Sequence, residues 1–164
     1  VDALAGSTGG AVVAGRADFT AEEWADLGGA LISAAELVSF SDGGRSGMAR
    51  EMPKVRRALE HARDRHSSLL VRELAGEPGR SVIDAHMSPG EAEEPVLRVL
   101  RAAAAALAAR APEELEAYRR FVVHLGEVAA EATRSGGVFG VGGQRVSYAE
   151  ASTLDRIRQA VGAS

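Results

Sequence analysis

The residues of this chain best suited to move protons or hold a metal are its four histidines, His61, His66, His86 and His124, because it contains no cysteine. The lack of cysteine removes a thiol nucleophile, thiolate metal sites and a disulfide framework. His61 and His66 are five residues apart. On one helix they diverge, and they cannot chelate as an i, i+4 pair would. His124 and Glu127 are three apart, and Arg120 and Glu131 extend the same stripe. Carboxylate-bridged di-metal bundles repeat Glu-x-x-His on two helices. Here the order is reversed, and the sole matching pair is His61 with Asp64, so the stripe reads as a polar helix face. His66 falls among apolar positions and is expected to be a hydrogen-bonded core or rim histidine. An enzyme built on this chain would have to use His66, or His124 with Glu127, as its base.

The acids and glycines offer a second kind of chemistry. Asp42, Glu51 and Glu150 follow or flank glycine-rich stretches, and they are the candidate ligands for a loosely held divalent cation. A calcium loop needs oxygen ligands at positions 1, 3, 5 and 12, and the stretch from Asp42 supplies Gly44 and Ser46 instead. Gly136, Gly137, Gly140, Gly142 and Gly143 are spaced like a phosphate loop, yet no Lys-Ser/Thr follows them and no buried strand precedes them. Gly142-Gly143 before a capped helix remains a possible anion cradle, with a plain connector as the simpler reading. No Gly-x-Ser-x-Gly elbow occurs. The clusters Glu91-Glu93-Glu94 and Glu113-Glu114-Glu116 sit at helix starts, where they complement the macrodipole. No catalytic residue or resident cofactor is therefore assigned.

Five helices would have to position these groups. Thr20 and Glu23 form a capping box, and Phe19 can staple onto Trp24. Trp24, Leu27, Leu31, Ala34 and Val38 then share one face. Gly28 and Gly29 interrupt this helix, which points to close approach of another helix. It is expected to stop near Ser41-Asp42-Gly43-Gly44. A second helix is predicted from about Met48 to Ala75, with Pro53 disturbing its first turn. Met52, Val55, Leu59, Ala62, His66 and Leu69 lie on its inner stripe, and Arg57, Glu60, Asp64 and Arg65 lie opposite. Residues 76–90 read as a loop. Ser88-Pro89-Gly90-Glu91 starts the third helix, with Leu97, Leu100, Ala104 and Leu107 inward. Its alanine run, 102–109, suggests packing on more than one side. Leu115, Tyr118, Val122, Leu125, Ala129 and Ala132 give the fourth helix a seam. Ser147 and Glu150 cap the fifth, which buries Leu154, Ile157 and Val161. Val138 to Val141 is too short to anchor a sheet.

The fold class is accordingly all-α: a flexible lead-in over 1–18, then a single-domain bundle over 19–164. The chain has 164 residues and is 46% hydrophobic with 4% aromatics, enough for one core built on alanine, leucine and valine. Its net charge is −4, which argues against a dedicated nucleic-acid binder. The charge is uneven. Residues 1–44 hold seven acidic groups and one basic group, whereas residues 45–80 hold nine basic and five acidic. That basic stretch either pairs within the molecule or forms a face for an acidic partner. No apolar run is long enough for a membrane span. No basic-then-apolar signal is visible, so the expected compartment is the cytoplasm. The chain begins at Val1 rather than Met, which leaves room for residues upstream.

Two segments share a plan: Ser41 to Gly47 followed by Glu51, and Gly140 to Ser147 followed by Glu150. This pattern is consistent with a degenerate helix-loop-helix duplication. The segment Gly142-Gly143-Gln144-Arg145-Val146-Ser147-Tyr148-Ala149-Glu150 resembles the helix-loop-helix element of the tellurite-resistance TerB-like family, whose pattern is roughly Asp-Gly-x-x-hydrophobic-Ser-x-x-Glu. The resemblance covers residues 136–162 and, more loosely, 34–59. It implies an all-helical fold and acidic loops around a divalent metal. Gly142 replaces the expected Asp, so it implies fold more than metal binding. The function expected from the residues is a non-catalytic helical interaction module, with a protein partner or self-association. The alternative is a divalent-metal-binding stress-response protein of the TerB-like kind.

Overall fold

The computed structural model describes residues 14–134 and 147–163. Among them are five α-helices and no strand, which makes the protein an all-α bundle. The helices are α1 (Ala21–Arg65), α2 (Leu69–Gly76), α3 (Pro89–Arg110), α4 (Leu115–Arg134) and α5 (Tyr148–Val161). Helix α1 is the hub and packs against each of the other four. No described helix is long and apolar enough to cross a membrane.

Helix α1 starts where the sequence marks it. Glu23 N–H donates to Thr20 Oγ1 at 3.1 Å, and Thr20 N–H donates to the Glu23 carboxylate at 2.8 Å. The Phe19 and Trp24 rings lie 5.9 Å apart, completing the staple. Leu27, Leu31, Ala34 and Val38 are fully buried. The first helix does stop at the expected Ser41–Gly44, but a single residue and not a loop separates it from the next. Two helical arms abut at Gly44, whose φ of 56° and ψ of −148° are not helical and belong to a region open almost only to glycine. The kink divides α1 into an arm 21–43 and an arm 45–65. Gly47 lets the second arm pass close to the first: a Cβ there would lie 2.6 Å from the Ser39 carbonyl oxygen.

The predicted helix 48–75 is also two pieces. Helix α1 ends at Arg65, where His66 turns to an extended ψ of 144°. Ser68 caps α2 by accepting from Val71 N–H at 3.0 Å. The β-region conformation at His66 and the Ser68 cap together explain the break.

Gly28 and Gly29 do admit a close neighbour, but it is a loop and not a helix. A Cβ on Gly28 would stand 2.6 Å from Gly79 N, and one on Gly29 2.8 Å from the Arg80 carbonyl oxygen. Residues 77–88 thus run over α1 as a strap. Val82 N–H pins it to Ser33 Oγ at 3.0 Å, and Arg45 reaches the Asp84 carbonyl at 2.9 Å.

Helix α3 begins with the expected Ser88–Glu91 capping box and Pro89 in the first turn. It buries Leu97, Leu100, Ala103 and Leu107, while Ala102, Ala105, Ala108 and Ala109 face solvent. Within the run, Ala103 is the fully buried alanine and the expected Ala104 only half-buried, and the helix packs against both α1 and α5 with one face left open. The α4 seam is buried from Tyr118 through Ala132. Helix α5 starts on its Ser147–Glu150 capping box and ends on Gly162 at φ 72°. It rests on α1, α3 and α4. Of the expected lead-in, residues 14–18 are described. Ala14 is buried, and a 3-10 turn, Arg16–Asp18, is tied to α2 through Arg16 N–H and Glu73 at 3.2 Å and to the residue that ends it through Arg16 and Glu77 at 2.8 Å. The stretch Val138–Val141 and the second glycine loop of the proposed duplication lie outside the described residues. The first such loop is the kinked helix just described.

Candidate functional site

The C-terminal end of α1 and the middle of α4 run side by side, and polar residues on both face a cleft of about 580 Å³. Helical spacing of three and four puts Ala58, His61, Ala62 and Arg65 on the α1 wall. Arg120 and His124, four apart on α4, form the other wall with Phe121 between them. His66 and Ser67 close the end where the chain leaves α1. Three of the four histidines thus meet in one place with two arginines, and no carboxylate lines the cleft.

Its floor is apolar and its rim is open. Ala62 and Phe121 are buried, whereas His61, Arg65, Ser67, Arg120 and His124 are exposed. The His66 and Phe121 rings meet edge to face at 5.5 Å, and Phe121 and His124 lie 6.4 Å apart. His66 Nδ1 accepts a hydrogen bond from Ser68 N–H at 3.0 Å. The neutral ring therefore carries its proton on Nε2, as a donor. Partial burial holds the His66 pKa below the ordinary histidine value; Glu114 pulls the other way, and Arg120 and Arg72 add to the lowering. At this turn the negative end of α1 meets the positive start of α2, and Arg63 and Arg65 sit in the last turn of α1. The two helix ends offset, leaving the side chains to set the local charge.

The residues singled out from the sequence are placed as follows. Asp42 is exposed on the first arm of α1. Glu51 is 1% exposed, with its carboxylate 3.3 Å from Arg50 Nη2. Glu150 is also 1% exposed, and its carboxylate accepts from Ser147 N–H at 2.9 Å as the cap of α5. Among the described residues, no group of three or more His, Asp or Glu side chains is arranged to hold a metal ion. Glu127 does not serve His124: it pairs with Arg158 of α5 at 2.9 Å. His66 is the half-buried, hydrogen-bonded histidine that its stripe implied. The diverging pair His61 and His66 does share a site, because the helix stops between them. Gly136 to Gly143 lie outside the described residues.

A second cavity, of about 600 Å³, lies between the Arg16–Asp18 turn, α1 and α2. Here acids and bases satisfy one another. Arg16 pairs with Glu77 and stands 5.9 Å over the Trp24 ring, and its N–H donates to Glu73 at 3.2 Å. Arg63 pairs with Asp64 at 2.8 Å.

No protein-family model, curated protein or solved structure matches the chain.

Proposed function

We propose that this chain is a helical interaction module that engages an acidic group of a partner protein in the cleft between α1 and α4. One observation carries this reading: two arginines and three imidazoles line a single cleft that has no acid in its walls. Several arginines elsewhere are closely matched by carboxylates, as Arg156 is by Glu93 and Arg101 by Glu94, both at 2.8 Å. The open rim also favours a partner over a small ligand. A free small molecule gains affinity by being mostly enclosed, whereas one side chain of a larger partner can seat at a shallow cleft while its neighbours bury further surface. The basic stretch 45–80 carries charge complementarity beyond the cleft itself.

A short fluorescent glutamate-rich peptide tests this by anisotropy. Binding is expected at low salt, weakening several-fold on going to physiological ionic strength. It is expected to vanish in the double charge reversal Arg65→Glu/Arg120→Glu. Both side chains are exposed, so the fold should tolerate the change, and an unaltered helical circular-dichroism spectrum verifies that. Equal binding by the wild type and the double variant would defeat the proposal.

A further inference from the structure

We infer that the acidic group the cleft is built for is a phosphate monoester on a partner side chain, and not a carboxylate. This rests on the reading of the cleft just given and narrows it. A carboxylate has one charge and two coplanar oxygens, so a single guanidinium fork satisfies it. The cleft supplies more than one fork. Arg65 comes from the end of α1, Arg120 from α4, and the His66 Nε2–H donor from the turn between α1 and α2. These donors line one cleft from two sides, Arg65 and His66 at the end of α1 and Arg120 on α4. A tetrahedral group with three terminal oxygens and nearly two charges can use several of them at once.

The charge count agrees. The acid beside Arg65, Asp64, is held by Arg63 at 2.8 Å and interacts with Arg65 only through space, and Arg120 reaches Glu116 only at 4.0 Å, with both partners largely exposed. An exposed pair at that distance contributes little and is readily exchanged. Two arginines are thus left to meet two negative charges. Beneath them, Ala62 and Phe121 give a small apolar floor that fits the carbon stem of a phosphorylated serine or threonine better than a bare ion. The depressed proton affinity of His66 fits the same role, since its neutral ring still donates through Nε2.

Three probes on one Gly/Ala/Ser host peptide test this: one carries phosphoserine, one glutamate at the same place, and one unmodified serine. The phosphoserine peptide is expected to bind roughly tenfold or more tighter than the glutamate peptide. That margin should collapse in Arg65→Gln/Arg120→Gln, with the far-ultraviolet spectrum and melting temperature held as folding controls. Inorganic phosphate should compete only weakly. If the glutamate and phosphoserine peptides bind alike, the phosphate inference is wrong while the acidic-partner reading stands. If neither binds, both are wrong. If inorganic phosphate binds as tightly as the phosphopeptide, the cleft takes a free anion and the inference of a partner side chain is overturned.

Discussion

Tyr118 shows how one polar atom is accommodated in a core with few aromatics. The side chain is fully buried, and its hydroxyl donates to the Leu27 carbonyl at 2.8 Å, tying α4 to α1. Burial pushes its pKa far up, so it stays a neutral donor at any working pH. Tyr118→Phe should cost about 1 kcal/mol, a drop of roughly 2–4 °C in melting temperature, measurable by calorimetry. His66 makes the opposite kind of statement. Its pKa is held down chiefly by burial, so the unfolded chain takes up the proton first as pH falls. Stability contributed at His66 is complete above the unfolded value of about 6.5 and erodes below it. Arg120 and Arg72 deepen that loss and Glu114 moderates it. His66→Gln should therefore flatten the pH dependence of the denaturation midpoint below about pH 6.5; an unchanged slope would contradict the assignment. The type of His66 was legible from its stripe. Its meeting with His61 was not, because a residue's place on an idealised helix means nothing beyond the point where the helix ends.

Signals held within a few residues of chain translated directly into elements, and those dependent on a distant neighbour did not. Thr20–Glu23, Ser88–Glu91 and Ser147–Glu150 each close a capping box. Each satisfies backbone donors with a side chain three residues away, so the sequence contains the whole interaction. The glycines behave differently. Gly28 and Gly29 were readable as places of close approach, yet the strap 77–88 that approaches lies about fifty residues on and has no periodic pattern. Gly43-Gly44 looked like a terminator, and Gly44 is one. Gly44 adopts a glycine-only conformation, and helix resumes directly after it. Neighbouring substitutions should separate the two residues. Gly44→Ala should destabilise by about 1–3 kcal/mol, from backbone strain alone, since nothing lies within 4 Å of the added Cβ. Gly43→Ala should be neutral or stabilise by up to about 0.5 kcal/mol. Urea midpoints decide this; equal losses at both positions would mean that the kink does not depend on the Gly44 backbone.

At the scale of the whole molecule, the arrangement of α1 makes one prediction about unfolding. The two arms of α1 between them touch every other helix, which leaves no subset able to keep a dry interior without them. The buried side chains form one cluster, from Ala14 and Phe19 beside the start of α1 to Leu154, Ile157 and Val161 on α5. The turn at Gly44 serves this continuity, since it passes the chain directly from the first arm, which lines the bundle, to the second, which builds the cleft wall. Such a core should melt in one step. Trp24, the only tryptophan, lies under the Arg16–Asp18 turn and beside α2, so it reports one end of the molecule. Helical ellipticity reports all five helices at once. In urea the tryptophan emission and the ellipticity at 222 nm should therefore trace the same transition, with the same midpoint and slope. If the fluorescence changes at lower urea than the ellipticity, the α2 end opens as a separate unit. The cleft between α1 and α4 would then be bounded at His66 by a segment that moves independently of its walls. That outcome would remove the fixed turn on which the meeting of Arg65, His66 and Arg120 at one cleft depends.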